Sequence, residues 1–165
     1  MLTKEERKEL IDKYPFLYPR HSIPNQFGEK WKPYNYEWFD LDHLPDGWIK
    51  SWIPNFLSDV KAILIYKKYN LDDYFVVRMK HELWNKFIWI ANINISEINR
   101  LVEDYNKYLD NYCIFCGSKP VYKSTWGFYA CRDCAKKDFD ETQAMYDIFD
   151  DKIKWEDEYQ NIYSY

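Results

Sequence analysis

Cys113-Ile114-Phe115-Cys116-Gly117, followed by Cys131-Arg132-Asp133-Cys134, is the stretch from which this chain is read. Two Cys-x2-Cys pairs stand fourteen residues apart and use all four cysteines of the sequence. Zn²⁺ favours four soft ligands in a tetrahedron, and each Cys-x2-Cys turn presents two thiolates to one ion. Gly117 directly follows the first pair, where such a knuckle needs a positive φ that glycine adopts at little cost. Residues 121–129 are β-rich with a turn near Ser124-Thr125, which predicts a short hairpin between the pairs. The expectation is one structural Zn²⁺ on Cys113, Cys116, Cys131 and Cys134. Four thiolates close the shell, whereas a catalytic zinc keeps a position for water. The His-x-Glu and Pro-Cys-x-x-Cys elements of zinc deaminases are missing. The metal would stand in for a core that so small a lobe lacks.

Upstream of the cysteines, Asn94, Ser96 and Glu97 open a helix with the stripe Ile95, Ile98, Leu101, Val102, Tyr105, Leu109 and Tyr112. Before it, the β-type runs 74–80 and 87–91 predict a hairpin. Earlier still, Asp46-Gly47 marks a turn, and Trp48, Trp52, Phe56, Val60, Ile63 and Leu64 recur at helical spacing up to about Tyr69. Pro54 requires either a kink or a late helix start there. Residues 14–46, with Trp31, Tyr34, Tyr36, Trp38 and Phe39, are too aromatic for a linker and predict an irregular wrap over a core. Thr3 and Glu6 form a capping-box pattern for a helix reaching about Lys13. Downstream, Phe139, Met145, Tyr146, Phe149 and Ile153 share one helical face, which predicts a helix over about 138–151. The fold class is α+β: a small helix and β-hairpin body at 1–112, a four-cysteine zinc ribbon at 113–137, and an acidic C-terminal helix and tail at 138–165.

The 165 residues carry a net charge of −4, distributed unevenly. Residues 1–112 hold 16 basic and 17 acidic groups, a balance of −1. Residues 113–137 balance at +4, and residues 138–165 at −7 with seven aromatics. Such asymmetry marks interaction surfaces. The acidic set is Asp138, Asp140, Glu141, Asp147, Asp150, Asp151, Glu156, Asp157 and Glu158. Acids interleaved with aromatics suit a basic groove on a protein partner, where charge steers and aromatics anchor. The basic set is Lys119, Lys123, Arg132, Lys136 and Lys137, interleaved with Tyr122, Trp126, Phe128 and Tyr129. The alternative reading is therefore a zinc ribbon that stacks bases and neutralises phosphates.

Other chemistry finds little material. The histidines are His21, His43 and His81, and no catalytic triad can be assembled from them. His43 between Asp42 and Asp46 reads as a solvated turn rather than a metal site, and Asp72-Asp73 as a connection. Four glycines leave no room for a phosphate loop, and each glycine should have a conformational task. No run approaches the roughly 20 apolar residues of a membrane span, and the charged N-terminus lacks a signal-peptide core. The expectation is a non-enzymatic protein of the bacterial cytosol, where paired cysteines bind metal rather than form disulfides.

The run Lys13-Tyr14-Pro15-Phe16-Leu17-Tyr18-Pro19-Arg20 resembles a family of small phage and bacterial proteins whose N-termini read like KYPFLYPRN. Leu44-Pro45-Asp46-Gly47-Trp48 looks like that family's MPDGW turn, and Leu71-Asp72-Asp73-Tyr74 and the two cysteine pairs fit as well. The likeness covers roughly residues 7–134. This chain departs from it at Leu83-Trp84-Asn85-Lys86, where family members often carry Gly-Gly, and in its longer acidic extension. The resemblance implies a phage-related origin and the zinc lobe, and supplies no activity. By analogy with small acidic phage proteins, it suggests an inhibitor of host defence, an anti-CRISPR protein acting on a Cas9-type effector.

Overall fold

A computed structural model describes residues 2–18, 39–124, 127–138 and 145–147, the last three and Asp138 by backbone alone. The aromatic residues Trp31, Tyr34, Tyr36 and Trp38 lie outside the described residues, as do Trp126, Asp140, Glu141, Asp150, Asp151, Glu156, Asp157 and Glu158. The elements run α1 Lys4–Lys13, α2 Asp46–Lys50, α3 Ile53–Tyr66, β1 Val76–Glu82, β2 Lys86–Ala91, α4 Ser96–Asn106, β3 Tyr122–Ser124, β4 Tyr129–Ala130, α5 Arg132–Asp138 and β5 Met145–Asp147. The fold is α+β, with a β1-β2 hairpin and a second sheet ordered β4-β3-β5.

The chain does not divide at one point. One compact unit comprises Met1–Leu44, Pro54–Lys80 and Phe87–Tyr105; the other comprises Pro45–Ile53, His81–Lys86 and Asn106–Tyr165. The cysteine lobe thus shares its unit with three short stretches from the sequence assigned above to the body, 45–53, 81–86 and 106–112.

In the first unit, α1 begins at the expected capping box: Thr3 Oγ1 accepts from the Glu6 amide, and the Glu6 carboxylate accepts from the Thr3 amide at 2.7 Å. Pro54 falls in the first turn of α3, where its missing N–H costs nothing, so the helix starts late rather than kinking. Phe56, Leu57, Val60 and Leu64 form its buried stripe. The helix ends in a Schellman motif: Lys68 sits at φ 59, the Lys68 amide donates to Ile65, and the Tyr69 amide donates to Leu64. Phe56 meets the rings of Phe87, Trp89 and Tyr105 edge-on at 5.3, 5.0 and 5.3 Å.

Several acids act as fasteners. Asp40 accepts from the Met79 amide at 2.7 Å, and Asp42 pairs with Arg7 while accepting from the Leu2 amide. Asp42, its side chain buried, is thereby a structural anchor rather than part of a solvated turn, while His43 beside it is exposed. The Asp72-Asp73 segment is also a connection: the Asp72 amide donates to Asn70, and the Asp73 carbonyl accepts from Asn92.

Two expectations change. The stripe through Leu109 and Tyr112 belongs to one helix only as far as Asn106. Beyond it a separate 3₁₀ turn, Leu109–Asn111, carries Leu109, where the chain has passed into the second unit. Within α4, Ile98 is buried while Leu101 and Val102 are only half-buried. The predicted helix over 138–151 is not formed at 145–147, which is strand β5. A two-residue β4 and a three-residue β3 leave one β3 edge with open backbone groups, and β5 satisfies them by antiparallel pairing, Tyr122 with Asp147 and Ser124 with Met145. Tertiary pairing overrides a helical period here.

Candidate metal centre

The second unit places the four cysteines by local rules. Cys113 and Cys116 flank a turn closed by the Gly117 amide donating to the Cys113 carbonyl at 2.9 Å. Gly117 has φ +81, as its position after the pair predicts. The Cys113 amide donates to Ser118 and the Ile114 amide to Tyr129, which ties this first knuckle to the following hairpin. In that hairpin Tyr122 pairs with Ala130 and Lys123 with Tyr129. Between its strands the Ser124 amide donates to the Phe128 carbonyl, and Gly127 takes φ +81. The second pair enters α5, with Cys134 in its first turn and the Cys134 amide directed at Cys131 Sγ.

The four sulfur atoms all lie within 4.8 Å of one another, and Cys116 Sγ is 3.7 Å from Cys131 Sγ. Cys113 is fully buried, Cys131 and Cys134 are half-buried, and Cys116 is exposed. None is in a disulfide. Such a set of soft donors, this close together, could hold a metal ion. Among the described residues it is the one cluster of this kind.

Electrostatics inside the cluster is uneven. Burial raises the Cys116 thiol, but hydrogen bonds from the Ser118 hydroxyl and amide, with Cys134 and Cys113 adding to them, outweigh it and bring the group to about 6. The Ser118 Oγ lies 2.9 Å from Cys116 Sγ. Burial raises Cys113 and Cys134, the latter further through its hydrogen bonds to the neighbouring sulfurs. Four thiols this close cannot ionise independently, and a cation between them would favour deprotonation of all.

The core beneath the cluster is thin: Cys113, Tyr122, Ala130 and Ala135, with Phe115, Val121 and Phe128 packed against it. Elsewhere in the unit, Trp48 lies 5.2 Å from Trp52 and 4.8 Å from His81, and His81 lies 5.0 Å from Phe128. Burial holds the His81 imidazole below its ordinary range. The β1-β2 turn puts Trp84 and Asn85 at φ 65 and 56, a conformation bulky side chains avoid. Asn85 is anchored there by donating to Asp110 at 3.2 Å.

The residues named for nucleic-acid contact are dispersed in character. Lys119, Arg132, Lys136 and Lys137 are exposed, and Lys123 is half-buried with its ammonium 5.4 Å over the Tyr129 ring. Tyr122 and Tyr129, expected to stack bases, are instead buried at 4% and 8% exposure. Of the acidic set, Asp138 ends α5 and Asp147 ends β5. Sequence alone marks Gly47 as a turn residue and gives Gly127 and His81 no part in this unit. The scarcity of glycine is the available signal for the first two. No helix among the described residues is long and apolar enough to cross a membrane. No protein-family model, curated protein or solved structure matches this chain.

Proposed function

We propose that the four cysteines hold one structural Zn²⁺ and that the protein works by binding another macromolecule. The observation that carries the metal reading is the sulfur geometry. Zinc–sulfur bonds of about 2.3 Å in a tetrahedron place sulfurs about 3.8 Å apart, and Cys116 and Cys131 stand at 3.7 Å. Four thiolates are the donor set of a closed site, which builds structure rather than activating water.

The partner reading rests on charge. The −7 balance and seven aromatics of residues 138–165 suit a basic surface of a nucleic-acid-handling enzyme. Together with the resemblance to small phage proteins, this favours inhibition of a bacterial defence nuclease, a Cas9-type effector being the single partner to try first. Burial of Tyr122 and Tyr129 weighs against the nucleic-acid-binding ribbon, because buried rings cannot stack on bases.

Metal analysis of purified protein should return about one zinc per chain. Binding to a Cas9-type effector should weaken as salt rises beyond about 0.15 M. Neutralising Asp147, Asp150 and Asp151 together to Asn should reduce both affinity and inhibition. Unchanged inhibition moves the contact surface elsewhere. Tight, salt-dependent binding to bare DNA, with none to the effector, favours the ribbon reading instead.

A further inference from the structure

Pro45–Ile53 lies far from the cysteines in sequence, yet shares their unit. Its contact with the first knuckle is backbone against backbone. The Gly47 amide donates to the Ile114 carbonyl at 2.9 Å. A Cβ on Gly47 would overlap the Cys113 carbonyl oxygen and stand 2.7 Å from both the Gly117 nitrogen and the Ile114 carbonyl carbon. None of these atoms can swing aside, because all are main chain. From the other side, a Cβ on Gly117 would stand 2.7 Å from the Gly47 carbonyl oxygen and 3.0 Å from Ser51 Cβ. The Ser51 hydroxyl donates to that same Gly47 carbonyl.

The Cys113 carbonyl is also the acceptor that closes the Cys113–Gly117 turn. That turn sets the relative direction of the Cys113 and Cys116 thiolates. Anything that displaces the carbonyl therefore displaces two of four ligands. We propose that Gly47 is a positioning residue for the metal centre, so that metal loading and docking of Pro45–Ile53 are one event. This rests on the reading of the cysteines as a zinc site. Its consequence reaches the aromatic cluster, because α2 carries the fully buried Trp48, packed on Trp52 and His81. Groups that orient metal ligands from outside the coordination shell typically change affinity about 10–100-fold when altered.

The test uses the full chain, Zn²⁺ and Co²⁺. Gly47→Ala should lower Zn²⁺ affinity about 10–100-fold in competition with a chelator and shift the thiolate-to-Co²⁺ absorption. Gly127→Ala is the control: φ is +81, and its Cβ would meet Trp84 Cα at 2.8 Å, so it too is strained, but none of the atoms it meets belongs to the Cys113–Gly117 turn. It should change affinity by less than about threefold and leave the Co²⁺ spectrum as in wild type. A second measurement needs no variant and covers the case in which Gly47→Ala fails to fold. Removing zinc from wild type should accelerate amide exchange in 45–53 and 113–117 together. Wild-type protein that binds no zinc overturns the metal reading and this proposal with it. Wild type that binds zinc through four thiolates, while 45–53 keeps its protection on metal removal or Gly47→Ala matches Gly127→Ala, overturns the coupling alone.

Discussion

The two units of this chain solve the same stability problem with different means. The first buries Phe16, Phe56, Leu57, Val60, Leu64 and Tyr74 to within 3% exposure, and its helices and hairpin form around that apolar mass. Each such side chain contributes about 1.5–3 kcal/mol by leaving water. The cysteine lobe of the second has two alanines, a cysteine and a tyrosine at its centre. Burial of so little apolar surface cannot offset the ordering of two knuckles and a hairpin. The lesson is that the cysteines are placed where the core is thinnest, so a ligand should matter to the cysteine lobe and side-chain volume to the first unit.

The sharpest way to break this contrast is Cys131→Ser. A structural zinc is worth roughly 10–16 kcal/mol of apparent binding free energy in small metal-folded domains. Loss of one ligand should release the metal and unfold residues 113–134, while the amides of α3 and α4 keep their protection. Full zinc occupancy in the variant, or loss of both units at once, would sink the division of labour. Next in size is Phe56→Ala, which removes a ring packed on Phe87, Trp89 and Tyr105. It should cost about 3–5 kcal/mol in denaturant unfolding and leave zinc stoichiometry unchanged. A cost below about 1 kcal/mol would show that the first unit does not depend on that cluster.

A smaller effect tests the edge of the first unit. Thr3→Ala removes the hydroxyl that accepts from the Glu6 amide at the start of α1. The expected loss is about 1 kcal/mol, with exchange accelerated chiefly in residues 4–8. The mildest test concerns His81 in the second unit. Its folded pKa is depressed by burial, so the folded protein disfavours the imidazolium that the unfolded chain accepts freely. Its neutral form is accommodated fully above the ordinary pKa of about 6.5, and stability is lost as pH falls from there through the folded value. His81→Phe should flatten this part of the stability profile in zinc-saturating buffer. An unchanged slope between about pH 7 and 5 would assign the acid sensitivity to the thiolates alone.

Much of the architecture was legible in local sequence because its causes are local. The capping box at Thr3 and Glu6, the disturbance of the helix at Pro54, the two hairpins and the positive φ of Gly117 each depend on a few neighbouring residues. The cysteine pairs were legible for the same reason: a knuckle is a five-residue turn, and all it asks from a distance is a second knuckle. Where local pattern and structure part, a distant partner has the deciding interaction. Residues 145–147 have helical periodicity, yet the open edge of β3 makes them a strand. Tyr122 and Tyr129 look like a stacking surface in sequence, and packing buries them. Leu101 is on the apolar stripe of α4 and still only half-buried, so truncating it should cost less than the roughly 2–5 kcal/mol of a fully buried leucine.

Sequence alone determined α1, α3, most of α4 and both hairpins, the four-sulfur donor set and the uneven distribution of charge. These follow from hydrogen-bonding rules, side-chain period and ligand chemistry acting over a few residues. Only the tertiary structure decided that Pro45–Ile53 belongs with the cysteines, that Gly47 has no space for even one methyl group, and that β3 carries a third strand. Those outcomes depend on which backbones approach one another across long stretches of chain, and no local pattern of residues specifies that distance.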